Sequence, residues 1–256
     1  LALEAAGGLD WWRGRMTDAQ DAYADALALM LDHGSPLEQA QARYNWALTL
    51  AYTDTGAERG MAALEQARRD ARDSGDRSLE AWATWGMCDA RFTRGDSHLA
   101  YRAAMESLAM FRELDDPFGI GWAEFMAANA LMGTARTDEA RTLVRSSMAL
   151  FARFADMSAL VLGLWALAQV QSEADRLESA VRLAAMSEAL RVTTGAGIIE
   201  ANSEVREDVG RSAVMEKARD ALGARRVEEL TALGARHSAA EALAFALSLE
   251  QPPHGT

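Results

Sequence analysis

Residues that staple, break or stiffen a chain are scarce here. The 256 residues include one cysteine, Cys88, one lysine, Lys217, and four prolines, of which Pro252 and Pro253 stand in the tail. A single cysteine cannot form a disulfide within the chain and cannot build a thiolate metal cluster. β-Branched residues are few as well: nine Val and three Ile stand against 54 Ala. That excludes a sheet protein, because Ala is the strongest helix former and strands need branched side chains. No run of 18 apolar residues occurs, and no basic-then-apolar leader opens the sequence. A cytoplasmic address is the default expectation. Positive charge is also in deficit, with a formal balance of −12. Such a surface repels phosphate backbones and anionic lipid, so neither nucleic acid nor membrane is expected as a direct partner.

What is present is a repeat. At an offset of 40 residues Ala100, Ala140 and Ala180 align, as do Ser107, Ser147 and Ser187, and Asp76, Asp116 and Asp156. Trp82 aligns with Trp122, Ala90 with Ala130 and Phe111 with Phe151. Each unit reads as two helices. In the third they cover about 78–93 and 96–114, and Gly95 is placed to end the first. The other pairs cover about 1–13 with 16–32, 38–54 with 58–74, 118–133 with 137–154, and 158–173 with 177–193. Pro36 and Pro117 suit the first turn of a new helix. The first two units need a shift of one or two residues to join the register. Leu1 enters as if already inside a helix, which reads as a piece of a longer protein.

Residues 1–194 resemble the tetratricopeptide repeat. A small residue late in the first helix (Cys88, Ala128, Ala168), a turn with Gly95, and Ala100, Ala140 or Ala180 five residues beyond carry the resemblance. The stretch from Gly14 through Asp18, Ala19, Tyr23, Ala26 and Leu27 matches the family's second half most closely. Two departures are a unit of about 40 rather than 34 residues and a unit-end Pro only at Pro36 and Pro117. Longer units of this kind look like the repeat region of large bacterial signalling ATPases and of LuxR-type or SARP-type transcriptional regulators. The resemblance implies an all-α, right-handed superhelix of five helix pairs.

Residues 195–250 read as a helical cap. The stretch Thr193 to Gly197 breaks the array. A helix from about 203 to 222 follows, opened by Asn202 or Ser203 and closed by Leu222-Gly223. A second covers 225–233. Ser238 and Glu241 form a capping box for the last, which runs to about Leu249. Every open array needs such an end. Residues 251–256 read as a disordered tail.

Chemistry-bearing motifs are missing. There is no Gly-x-x-x-x-Gly-Lys-Ser/Thr loop, and no helix-turn-helix pattern follows Leu249. His33, His98, His237 and His254 are far apart and lack metal-pair spacing. Asp115-Asp116 and Glu228-Glu229 read as solvated charge, and Cys88 occupies a packing position. No enzyme, cofactor or metal is expected.

The expected function is a tetratricopeptide interaction or effector-sensing module of a bacterial regulator. Its partner would be a protein segment, another domain of the parent, or a small apolar effector. The alternatives are a scaffold or dimerisation array and a receptor for a small apolar ligand. In tetratricopeptide arrays the first helices line the groove. The 40-residue columns there are Trp82, Trp122, Leu162; Trp85, Phe125, Trp165; Asp89, Asn129, Gln169; and Phe92, Met132, Ser172. The less regular second unit adds Asn45, Thr49 and Tyr52. Half-exposed, the six Trp and Phe side chains at 82, 85, 92, 122, 125 and 165 would leave an apolar patch of roughly 600 Å². Leu1, Leu3, Leu9, Trp11 and Trp12 are expected to form a bare N-terminal face, covered by upstream residues or by a homodimer partner.

Overall fold

A computed structural model of the chain describes residues 2–51, 56–195 and 207–249, with side chains from 212 in the last stretch. Among the described residues all regular structure is helical. The helices are α1 (Ala2–Trp12), α2 (Met16–His33), α3 (Pro36–Leu50), α4 (Ala57–Asp73), α5 (Arg77–Thr93), α6 (Ser97–Glu113), α7 (Pro117–Leu131), α8 (Thr137–Ala152), α9 (Met157–Glu173), α10 (Leu177–Thr194), α11 (Glu207–Leu222), α12 (Ala224–Gly234) and α13 (Ala239–Ser248). The chain is an all-α, solenoid-like succession of helix pairs. It divides into two compact units, residues 1–130 and 131–256, so the division falls at the end of α7.

Local chemistry repeats with the sequence. Asp76 caps α5 through the Leu79 N–H at 2.8 Å, and Asp156 caps α9 through the Ala159 N–H at 3.0 Å. Between them Asp116 accepts from the Gly119 N–H at 3.0 Å. These bonds satisfy orphan donors of the first turn. The turn before each cap needs one left-handed residue: Gly75 at φ 74°, Asp115 at 50° and Ala155 at 51°. The next amide then reaches back five residues, as Asp76 N–H to Ala71 and Asp116 N–H to Phe111, at 2.9 and 3.0 Å. Gly95 closes α5 in the same way at φ 83°.

In the first unit each helix through α6 packs on the one before it. Small residues make this possible. Gly119 lies against the Phe111 ring so closely that any Cβ would enter it. Ala83, Cys88, Ala100, Ala104 and Phe111 are all at or below 1 % exposure. Glu80 is buried too, and its carboxylate binds Arg72 at 2.7 Å and Arg77 at 2.5 Å, tying α4 to α5. Arg68 and Arg77 reach on to Glu106 and Glu113 of α6.

The second unit repeats the plan. Ala140 and Ala180 are fully buried, as Ala100 is in the first, so the three register alanines share one kind of environment. Ser147 turns its hydroxyl to the Val144 carbonyl, as Ser107 does to Ala104. α9 packs on α8 and α10, and α12 lies against α10. Leu177, Val181, Ala218, Val227 and Leu230 form the core under α11 and α12. The capping box of α13 is made, with the Ser238 N–H on Glu241 at 2.8 Å. Asn202, Ser203, the array break beyond Gly195, the end of the expected 38–54 helix and the 251–256 tail lie outside the described residues.

Candidate functional site

The aromatic columns belong mainly to the first unit, and there they form an interior. Trp82 stands edge-on to Phe111 of α6 at 4.8 Å and meets Phe118 of α7 at 6.1 Å. It is half-buried and sits between helix pairs, not on a groove wall. Trp85 meets Trp122 at 5.9 Å, and Trp122 meets Phe125 at 5.8 Å. The contacts 82 with 118 and 85 with 122 are 36 and 37 residues apart, about one helical turn short of the repeat. α7 is therefore slid by a turn against α5, and this slide brings Trp85, not Trp82, onto Trp122.

Exposure corrects the expected patch. Trp85 and Trp122 are 5 % exposed and Phe125 is 6 % exposed, so these rings offer no broad apolar surface. The cause is α1. Trp12 lies 5.8 Å from Trp122 and 4.9 Å from Trp11. The N-terminal tryptophans are thus not a bare edge: Trp11 is 9 % exposed and Trp12 is half-buried against α7. Leu9 does face solvent, and Leu1 lies outside the described residues. Trp11 and Trp12 could not be found by register, because the first unit stands off the 40-residue period.

Polar groups run beside the rings. Asp89 is 6 % exposed on α5. Burial, then the Asp89 charge, then Tyr23 push the Tyr44 phenol far above its ordinary range. Burial, with help from Glu4, pushes Tyr23 up to about 12. Burial raises the Cys88 thiol as well, so it stays protonated and acts as a packing atom. Thr49 is buried with its hydroxyl on the Trp46 carbonyl, and Asn45 accepts from Gln41. Tyr52 lies outside the described residues. The indole N–H groups of Trp11 and Trp85 are buried with no acceptor. Phe92 and Asn129 are half-buried.

The rest of the columns lie in the second unit. Trp165 is buried on α9 at 5 % exposure, and Gln169, Leu162 and Met132 are half-buried, Met132 just beyond α7. Ser172 is buried, with its carbonyl accepting from Lys217 at 2.7 Å. No protein-family model matches the chain, and no curated protein matches it.

Proposed function

We propose that the chain is a non-catalytic, tetratricopeptide-like regulatory module of a bacterial transcriptional regulator or signalling ATPase. It senses an effector, or a segment of a partner protein, at the aromatic interior of its first unit. One observation carries the reading. The rings of α1, α5 and α7 converge with two indole donors left without acceptors. Buried Trp N–H groups ordinarily find a partner, and an unmade buried bond costs about 1–3 kcal/mol. An interior built for packing alone would hold Phe or Leu at Trp11 and Trp85. A small apolar effector bearing a carbonyl or ether oxygen would supply the acceptor and stack on the rings.

Native mass spectrometry of the chain purified from a bacterial host tests this, together with sedimentation equilibrium. A retained, stoichiometric small molecule supports effector sensing if it is lost in Trp85→Phe, which removes one unpaired indole N–H and keeps an aromatic ring. A tight dimer that retains nothing supports the scaffold.

A further inference from the structure

The second unit buries a positive charge that its own chain only half answers. Arg141, one turn into α8, is 2 % exposed. Among the described residues its one ion-pair partner is Asp138, with Nη1 at 2.8 Å from Oδ1. The Asp138 side chain is 72 % exposed, so water screens most of that attraction. The Arg141 Nε is buried with no partner. Arg145 stands one turn on, where i and i+4 share a face. Its Nη2 donates to the Leu247 carbonyl of α13, and its Nε is likewise buried without a partner.

The facing helix brings a matching defect. Gln171 of α9 is completely buried, and neither its amide oxygen nor its amide nitrogen is hydrogen-bonded. The start of α8 and the end of α9 lie side by side, because the Gly133 N–H and the Thr137 hydroxyl both bond to Glu173, at 2.8 and 3.5 Å. Arg141 and Gln171 therefore stand at one level of the pair. The Arg176 N–H donates to the Gln171 carbonyl at 2.9 Å, which places a third arginine at this end. Burial, then the charge of Arg176, lower the Arg141 guanidinium below its ordinary value against the opposing pull of Asp138, and Arg145 adds to the lowering.

A buried guanidinium with open donors is costly, and one matched partner removes the cost. A planar fork of N–H groups fits the oxygens of a carboxylate or a phosphate. The Gln171 amide can add a further donor. We propose that Arg141, Arg145 and Gln171 form a site for a small oxyanion group, phosphate or carboxylate, between α8 and α9. The chain's net charge of −12 works against anions in general, so binding here depends on this local set.

The experiment is thermal unfolding of the full chain, read by circular dichroism. Sodium phosphate and sodium acetate are each compared with sodium chloride at equal ionic strength. A saturable rise of the midpoint above chloride is expected, since a ligand of the folded state stabilises it by mass action. A rise with phosphate alone assigns a phosphate, and a rise with acetate alone assigns a carboxylate. Gln171→Leu and Arg145→Gln should each weaken the fitted dissociation constant roughly tenfold. Arg141→Met should abolish the response while leaving the midpoint in chloride equal or higher, because it removes a buried charge. If Arg141→Met does not fold, Gln171→Leu decides. No gain over chloride from either anion, or an equal gain in wild type and Gln171→Leu, overturns the site.

Discussion

Ala155 holds a backbone conformation that suits it poorly. Its φ of 51° lies in the left-handed region, where a Cβ costs about 1–2 kcal/mol. Gly75 occupies the same place two repeats earlier at φ 74°. Ala155→Gly should therefore stabilise the chain by about 1 kcal/mol, and Gly75→Ala should destabilise it by a similar amount. Urea unfolding of both variants checks the signs. Tyr23 sets a pH limit. Its phenol ionises near its ordinary value of 10 when unfolded and at about 12 when folded. Below pH 10 both states keep the proton, and the stabilisation is whole. Between 10 and 12 the unfolded chain holds fewer protons than the folded one, so stability falls as pH rises. Tyr23→Phe should flatten part of that fall, and ultraviolet absorbance of tyrosinate should report the late titration directly.

At the scale of helices and turns, the sequence was legible where its chemistry is local. Asp76, Asp116 and Asp156 can be read as one loop because a cap needs only its own turn, and Ser238 with Glu241 likewise. Ala100, Ala140 and Ala180 are legible as packing positions, because only a small side chain lets helices meet so closely. The groove columns were not legible. They require matching residues to stand side by side, whereas α7 is slid by a turn against α5 and Trp85 meets Trp122. Gly119 shows the same limit, since its need for no side chain arises from Phe111 on another helix. Gly119→Ala should cost about 1–3 kcal/mol through overpacking, and more than its small change in helix propensity would return. Glu80→Gln should release Arg72 and Arg77 and loosen α4 from α5. Faster amide exchange in those two helices, ahead of α9 and α10, is the expected reading.

Over the whole molecule, the largest departure from the sequence reading is that α1 reaches α7. Nothing in a 40-residue period announces a contact between Trp12 and Trp122, 110 positions apart. It arises within the first unit, where the rings of α1, α5 and α7 meet in one interior. This changes what Trp122→Ala should do. On an open wall, loss of the ring would leave the fold intact, because surface substitutions usually stay within about 0.5 kcal/mol. In this interior Trp122 is 5 % exposed and meets Trp12, Trp85, Phe118 and Phe125. Removing it should cost about 3–5 kcal/mol, as for other large buried side chains. The contact with α1 can be isolated by a double-mutant cycle on Trp12→Ala and Trp122→Ala, followed by denaturant unfolding. Aromatic pairs contribute about 0.5–1.5 kcal/mol beyond burial, and the cycle should return a coupling of that size. Tryptophan fluorescence suits the measurement, since Trp11, Trp12, Trp46, Trp82, Trp85 and Trp122 all lie in the first unit and only Trp165 in the second. Additive effects of the two substitutions would mean that α1 does not close on α7 in solution, and that the aromatic face of the first unit stands open.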